Sequence, residues 1–382
     1  MNRNIVYGWF IVMMLALAPA VLGQAGPVRF HVNCDGGGLK LSKAIELSQP
    51  GDTIEVHGTC RERVQVTRGP LTLDGGGDAI LDGAGVGPND QEFNGLLTVD
   101  AAQGVTIRGW TIQNSTGEGI FGVHGASILI QDTIVEKNFT GIGLSNSSAE
   151  VVDIATRYNS IGLDAYSAST VIFRGNVDIS RNTEESLTLN GNSHGEIRGA
   201  HLQVSNNLAG GVILSAESSL AIFGFQTSQT SRLITDNNQG PGIVIGQSQL
   251  FVAGAGFTPG SIAITSRGNA GPGVLLVNGN ISNPFGAARL VIENNPIGMQ
   301  FLQGATATIS GGLNVRNNVI GIRADNATGL TFGSLPPNPS AVQSNGTDVF
   351  LTFGTKSTIN GVVVGTIVCD STVLSRGTTV CP

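Results

Sequence analysis

A short segment that begins with asparagine recurs along most of the chain. Each copy has one or two Asn residues, then Gly or another small residue, then a brief apolar strand, as at positions 293–301 and 316–324. Copies that recur every 21 to 31 residues and each contain such a strand predict a solenoid built from strands. The last Asn residues of successive copies are Asn114, Asn138, Asn159, Asn182, Asn207, Asn238, Asn269, Asn295, Asn318 and Asn345.

Three strands are expected in each copy. The first follows the Asn turn, the second is typified by residues 150–154, and the third by residues 177–180 and 313–316. Parallel stacking of about 11 or 12 such coils would bury a ladder of Ile, Val and Leu side chains and pair each backbone with its neighbours. Asn residues at the same turn of neighbouring coils would hydrogen-bond to each other, which explains Asn there without a ligand.

The composition suits repeated turns and excludes several classes of function. Gly accounts for 55 of 382 residues, only 12% of residues are charged, and the net charge is −7. Because no run of Lys or Arg occurs, we expect no binding to nucleic acid or to anionic membrane surfaces. The sequence has no P-loop, dinucleotide fingerprint or close Cys-x-x-Cys pair. We therefore expect no cofactor and no metal ion.

Positions 1–23 predict a secretory signal peptide. Arg3 supplies the positive charge, residues 9–17 form the apolar core, and small residues around Gly23 offer a cleavage site. A membrane anchor is the alternative, but the apolar run is short and Pro19 interrupts it. We expect residues 24–382 to form a single secreted domain, either extracellular or periplasmic.

Four cysteines fit an exported protein. Cys34 and Cys60 bracket the first folded segment, and Cys369 and Cys381 bracket the last. An even number in an oxidising compartment favours two disulfides, and we prefer 34–60 with 369–381 because each closes a short loop. Free thiols are the alternative.

The residues after the first cysteine carry a family resemblance. Residues 39–48 have the apolar spacing of a one-face helix, which would cover the open end of a stack of strands. The helix pattern, followed by residues 50–56, 58–66 and 71–77, resembles the opening of right-handed parallel β-helix proteins of the pectate-lyase-like superfamily. The resemblance extends to about residue 368 and implies that fold. It implies no single activity, because members include lyases, hydrolases, esterases, epimerases and proteins without a known reaction.

Alternation along the first strand of each coil predicts which side chains face outward. Counted this way, an outward face on neighbouring coils contains aromatic, acidic and amide side chains, which together suit a sugar ring. The alternative is that these are ordinary polar side chains of a solvent-exposed sheet and bind no ligand. The candidate ligand-binding residues are Phe121, His124, Asp164, Tyr166, Thr188 and Asn190.

Three outward positions on consecutive coils are apolar: Ile213, Val244 and Leu275. They belong to or adjoin the coils with the longest repeats, whose extra residues include 223–225 and 255–259. Either these loops cover the apolar positions, or the positions form a surface for a partner or for self-association.

The face favours binding of an extended extracellular polymer, a polysaccharide, by a protein that has no complete catalytic motif. The first alternative is a polysaccharide lyase, glycoside hydrolase or epimerase, with Asp164 and the turn at Glu184 and Glu185 as the acid and base. The second alternative is a structural or adhesive surface rod.

Overall fold

The computed structural model describes residues 26–87, 95–224, 230–253, 261–327, 329–336, 338–379 and 381–382. The predicted signal peptide at positions 1–23 lies outside the described residues. No helix within these described ranges is long and apolar enough to span a membrane.

The described residues form one short helix and 36 strands. The helix α1 spans Leu41–Leu47, inside the stretch for which the sequence predicts a helix. The first half of the strands are β1 Arg29–Asn33, β2 Thr53–His57, β3 Thr59–Cys60, β4 Val64–Val66, β5 Leu71–Asp82, β6 Leu97–Asp100, β7 Val105–Gln113, β8 Glu118–Val123, β9 Ser127–Gln131, β10 Ile134–Glu136, β11 Thr140–Ser145, β12 Ser148–Arg157, β13 Ile161–Tyr166, β14 Thr170–Ser180, β15 Leu187–Leu189, β16 His194–Ser205, β17 Val212–Leu214 and β18 Ser219–Phe223. The second half are β19 Ser231–Asp236, β20 Ile243–Gly246, β21 Gln249–Ala253, β22 Ile262–Arg267, β23 Val274–Val277, β24 Asn280–Asn283, β25 Ala288–Glu293, β26 Ile297–Leu302, β27 Thr306–Ile309, β28 Leu313–Arg316, β29 Ile320–Asp325, β30 Gly329–Gly333, β31 Ala341–Val342, β32 Thr347–Thr352, β33 Lys356–Asn360, β34 Val363–Val364, β35 Ile367–Cys369 and β36 Leu374–Gly377.

The strands form two parallel sheets that wind around a common axis. The front sheet contains thirteen of the described strands, one per coil, in the order β4, β6, β8, β11, β13, β15, β17, β20, β23, β26, β29, β32 and β35. The other 23 strands form the back sheet, which bends around the rest of each coil. In some coils a single long strand such as β14 makes this bend, and in later coils two shorter strands make it. The chain is a right-handed parallel β-helix, with slightly more coils than the 11 or 12 predicted.

The core is the ladder of apolar side chains that the sequence predicts. Ten front-sheet residues, one per coil, are at most 1% exposed: Ile120, Ile142, Leu163, Leu187, Val212, Ile243, Val274, Met299, Ile322 and Val349. Larger side chains fill the space between the sheets, including Trp110, whose indole N–H donates to the Leu73 carbonyl at 3.1 Å. Each such buried side chain contributes about 1.5–3 kcal/mol.

A ladder of asparagine side chains runs along one corner, as predicted. Each ladder Asn accepts, on its Oδ1, hydrogen bonds from the backbone N–H and usually the Nδ2 of the preceding coil, as in Asn159 to Asn182 at 3.0 and 3.3 Å. The ladder runs from Asn138 to Asn345. The assignment of Asn114 to it was wrong: Ser115 takes that place and donates its N–H to Asn138 at 2.9 Å. Asn114 occupies the preceding turn position, which has φ 61°.

In eleven of the described coils, the corner between the front strand and the back sheet contains a residue with a left-handed backbone, and in six of these coils the next residue is left-handed as well. A left-handed residue after an extended strand changes the direction of the chain, and Asn tolerates that conformation better than most residues. We call these residues the corner column. They have φ between 48° and 61° and are Ala101, His124, Asn146, Ser167, Gly191, Ala216, Gln247, Asn278, Gln303, Asn326 and Phe353.

Both ends of the rod are secured. At the N-terminal end, the Glu62 carboxylate accepts the N–H groups of Leu41 and Ser42 at 3.0 and 3.2 Å, which caps the first turn of α1. The predicted disulfides are both confirmed: Cys34–Cys60, the N-terminal disulfide, and Cys369–Cys381, the C-terminal disulfide.

Candidate functional site

Asp164 lies at the centre of the candidate site, on the outward side of β13 in the front sheet. Its neighbour on the N-terminal side is Gly143 of β11, and its neighbour on the C-terminal side is Thr188 of β15. Adjacent strands are about 4.8 Å apart. Side chains over these two positions therefore lie directly beside the Asp164 carboxyl group.

The missing side chain at Gly143 brings Glu118 close to Asp164. A Cβ atom at Gly143 would lie 3.0 Å from the Glu118 Cγ and 3.1 Å from the Phe121 Cδ2. The space above Gly143 is therefore filled by these two side chains, which come from β8. Glu118 reaches a position one strand away from Asp164, although its own backbone is two strands away.

A second carboxylate approaches Asp164 from the other side. The Thr188 hydroxyl donates a hydrogen bond of 2.9 Å to Oε2 of Glu185. Because Thr188 pairs with Asp164 across neighbouring strands, this bond holds Glu185 at the same outward face. Asp164 thus has an acidic side chain on each side.

This arrangement raises the pKa of Asp164 to about 6, first by burial and then by the negative charges of Glu185 and Glu118. Burial also raises the pKa of Tyr166, with further contributions from Glu118 and Asp164, and a hydrogen bond to Ser145 acts in the opposite direction. One Glu118 oxygen, Oε2, is buried and has no hydrogen-bond partner. A carboxyl group that is partly protonated near neutral pH, beside two other carboxyl groups, is suited to proton transfer.

Two of the predicted residues have surroundings that differ from the expected exposed face. Phe121 was expected to present an outward aromatic ring but is only 5% exposed. The backbone of Gly95 lies against it, since a Cβ there would be 2.7 Å from the Phe121 Cβ. Thr188, also expected outward, is likewise only 5% exposed. Tyr166, which is half-buried, is therefore the aromatic side chain that remains beside Asp164.

The other predicted residues flank the site. His124 is exposed at the corner, and its Nδ1 lies 2.8 Å from the Asp100 carboxylate. Asn190 is exposed just beyond β15, and its backbone N–H donates to the Ala165 carbonyl at 2.9 Å. His194 begins β16 of the back sheet, where its Nε2 lies 3.1 Å from Glu196. It therefore belongs to a different face from Asp164.

The apolar positions continue the front face beyond Thr188. Ile213, Val244 and Leu275 are in register on β17, β20 and β23, and all three are half-buried. The extra residues of these coils leave from the corner within the back sheet, after Phe223 and after β21. Residues 225–229 and 254–260, which include most of the loop sequence singled out as a cover, lie outside the described residues.

A groove borders the apolar positions where the front strands end. It has a volume of about 470 Å³ and is lined by Ser215, Ala216, Gly246, Gln247, Val277, Asn278 and Gln303. Its three amide side chains, Gln247, Asn278 and Gln303, are consecutive members of the corner column and are exposed. The sequence pattern does not distinguish these three residues from other turn residues, although each directly follows an outward position of a front strand.

None of the described residues forms a group of three or more His, Cys, Asp or Glu side chains arranged to hold a metal ion. The negative charges of Glu118 and Glu185 therefore act on Asp164, but the three carboxyl groups are not arranged to bind a metal ion.

Comparisons with known proteins agree with the fold. Residues 94–258 match the family described as right handed beta helix region. This match confirms the resemblance to right-handed parallel β-helix proteins that the sequence predicts. A search of curated proteins finds no match.

Several solved structures are similar to this chain. One is the A-module of mannuronan C-5 epimerase AlgE6 of Azotobacter vinelandii, with 15% identity and a TM-score of 0.45, covering 92% of this chain and 89% of that one. Pectate lyase Pel9A has 13% identity and a TM-score of 0.36, covering 92% and 79%. The family 28 exopolygalacturonase of Yersinia enterocolitica has 10% identity and a TM-score of 0.37, covering 92% and 78%.

Proposed function

We propose that the front face binds an extended polysaccharide that lies across successive strands. The observation that supports this proposal is the register of the outward groups. Asp164, Thr188, Ile213, Val244 and Leu275 follow one another on adjacent strands. A polymer along the rod would meet one such group about every 4.8 Å. Polar groups would bind hydroxyls, while the half-buried Tyr166 and the aliphatic side chains would pack against the apolar faces of the sugars.

The binding proposal is tested with Tyr166→Ala. Removing the ring should weaken binding to a polysaccharide that the wild-type protein retains, by about tenfold or more, which corresponds to about 1.4 kcal/mol. Phe251→Ala is the matched control, because Phe251 is an exposed aromatic residue on β21 of the back sheet. Affinity electrophoresis against a panel of polysaccharides gives the readout. Equal weakening by both variants, or none by Tyr166→Ala, would contradict the assignment of this face.

The raised pKa of Asp164 favours a second candidate function, acid–base catalysis on the bound polymer. For glycoside hydrolysis, protonated Asp164 would transfer its proton to the glycosidic oxygen as the C–O bond breaks. Glu118 or Glu185 would take a proton from the attacking water, whose oxygen ends on the sugar carbon. Elimination or epimerisation would instead use a carboxylate of the same cluster as the base.

Turnover separates the two candidates. If the site is catalytic, Asp164→Asn abolishes product formation while binding persists, and the pH profile of the wild-type enzyme has a limb near pH 6. Asp178→Asn is the matched control, since Asp178 is a half-buried carboxylate on β14 of the back sheet. Product formation that survives in Asp164→Asn would exclude Asp164 as the acid.

We also propose export to an oxidising compartment. Two disulfides persist in such compartments and are rare in reducing ones. Two experiments measure whether residues 1–23 direct secretion: deletion of these residues from the protein, and their fusion to a reporter protein. Retention of the reporter inside the cell would contradict it.

Self-association through Ile213, Val244 and Leu275 remains a separate proposal for the apolar part of the face. Val244→Asp places a charge in its centre and should abolish any oligomer. Sedimentation of the wild-type and variant proteins is the measurement. Identical sedimentation of the two proteins would contradict self-association, and polysaccharide binding would remain as the proposed role of these apolar residues.

A further inference from the structure

The front face carries no positive charge over most of its length. The eight consecutive front-sheet strands from β8 to β26 contain no Lys, Arg or His, and all of their residues are described. The next strand of the front sheet is β29, which contains a cationic residue, Arg323. Its Nε lies 2.8 Å from Oδ2 of Asp325 on the same strand. The Thr352 hydroxyl also binds Asp325.

Cations at the opposite edge of these strands already have partners. Lys137 lies 3.0 Å from the Glu136 carboxylate, and the Arg181 guanidinium lies over the Tyr158 ring at 5.6 Å. A ligand on the front face would therefore find acidic groups at the Asp164 end, without a free cation on these strands to balance them.

The rest of the face offers uncharged hydrogen-bonding groups. Gln247, Asn278 and Gln303 line the groove, and each amide both donates and accepts hydrogen bonds. Their backbones are fixed by bonds between coils, such as Gln247 N–H to the Val277 carbonyl at 3.1 Å and Asn278 N–H to the Leu302 carbonyl at 3.2 Å. Sugar hydroxyls have the same dual capacity. Val277 and Leu302 beside them extend the apolar surface.

From this distribution of charge we infer that the ligand is an uncharged polysaccharide and not a polyuronate. The inference rests on the proposed polysaccharide-binding function and adds the chemical class of the polymer. A polyuronate carries a carboxylate on every residue, and a chain along the face would bring several of them beside Glu118, Asp164 and Glu185. Like charges at such distances disfavour binding, while the amide groove has no cation to offset the repulsion.

The test compares polymers that differ in charge. The full-length mature protein is assayed for binding to neutral polysaccharides (dextran, xylan, glucomannan and amylose), to fully methyl-esterified pectin, and to polygalacturonate and alginate. The two polyanions are used with and without calcium. We expect at least one uncharged polymer to bind about tenfold more tightly than either polyanion at moderate salt.

Three variants test whether charge is the cause of this preference. Gln247→Lys places a cation in the groove and should strengthen binding to polygalacturonate by about tenfold, whereas Gln247→Met removes the amide without adding charge and should not. Glu118→Gln combined with Glu185→Gln should also strengthen polyanion binding. All of these positions are at least partly accessible, so the substitutions can be compared in folded protein by circular dichroism.

The outcomes distinguish the inference from the function beneath it. Wild-type protein that binds polygalacturonate or alginate as tightly as any uncharged polymer, with or without calcium, overturns the inference and leaves polysaccharide binding standing. Protein that binds no polymer in the panel overturns the proposed function and the inference with it. Polyanion binding that Gln247→Met strengthens as much as Gln247→Lys also counts against charge as the cause.

Discussion

Replacing Asn238 by Ala tests whether the asparagine ladder stabilises the rod. Asn238 is 1% exposed in the middle of the ladder. Its Oδ1 accepts from the backbone N–H and Nδ2 of Asn207 at 3.1 and 2.9 Å. Its Nδ2 donates to Oδ1 of Asn269 at 2.9 Å and to the Val204 carbonyl at 3.1 Å. Alanine removes all four bonds and leaves the Asn207 backbone N–H buried without an acceptor.

The expected cost follows from these four bonds. Each contributes about 1 kcal/mol net, and the buried N–H left unpaired adds to the loss, so Asn238→Ala should lower the free energy of unfolding by at least about 4 kcal/mol. Asn345→Ala, at the partly accessible end of the ladder, should cost only about 1–2 kcal/mol, because water replaces part of what is lost. Gln239→Ala, an exposed neighbour, should change stability by less than about 0.5 kcal/mol.

Urea unfolding monitored by circular dichroism gives the free energies. Solenoids can unfold in parts, so hydrogen exchange of the Asn207 and Asn238 backbone amides supplies a local measure. Asn238→Ala that costs less than about 1 kcal/mol, or no more than Asn345→Ala, would refute the view that burial makes these bonds essential.

Three further predictions concern the site and the ends of the rod. The pKa of Asp164 is raised from 3.8 to about 6, so between these pH values the folded protein holds a proton that the unfolded chain has lost. The stability of the folded protein therefore falls as the pH rises through that window. Asp164→Asn should therefore stabilise the protein by about 3 kcal/mol at pH 7.5 and not at pH 3.5. Equal effects at both pH values in urea unfolding would contradict this. Serine replacement of both cysteines of the N-terminal disulfide, which closes a separation of 26 residues, should cost about 3.5 kcal/mol, and of the C-terminal disulfide, with a separation of 12, about 2.8 kcal/mol. Denaturant midpoints measure both losses, and wild-type stability in either variant would refute the expectation. Gly141→Ala should be strongly destabilising, because its Cβ would lie 2.4 Å from a backbone carbonyl oxygen. Gly143→Ala meets only side chains, so it should cost less than Gly141→Ala in the same assay while it displaces Glu118 and shifts the titration of Asp164.

The sequence predicts the parts of this fold that repeat. The predicted inward column from Ile120 to Val349 is confirmed. Side chains alternate between inside and outside in the same way in every coil, so the assignment in one coil can be checked against its neighbours. The disulfides follow from their short separations. Asn114 was assigned wrongly because two adjacent turn positions both favour Asn, one for its left-handed backbone and the other for its side-chain bonds.

The candidate site is harder to predict because it depends on what does not repeat. Glu118 comes close to Asp164 only because Gly143 lacks a side chain between them, and the burial of Phe121 depends on the path of Gly95. Such contacts join positions with no common period, so alternation along a single strand does not indicate them.

The asparagine ladder also gives the rod an electric dipole along its axis. Every ladder Oδ1 accepts hydrogen bonds from the preceding coil, so all the side-chain carbonyls from Asn138 to Asn345 face the N-terminal end. Their dipoles add, as peptide dipoles do in a helix, and the positive end lies at Asn345. There the Asp348 carboxylate accepts the Asn345 backbone N–H and Nδ2, both at 3.0 Å. Burial alone would raise the pKa of Asp348, but hydrogen bonds from Thr366 and Asn345 hold it below its ordinary value. A negative charge thus terminates the positive end of a dipole that extends over nine asparagines.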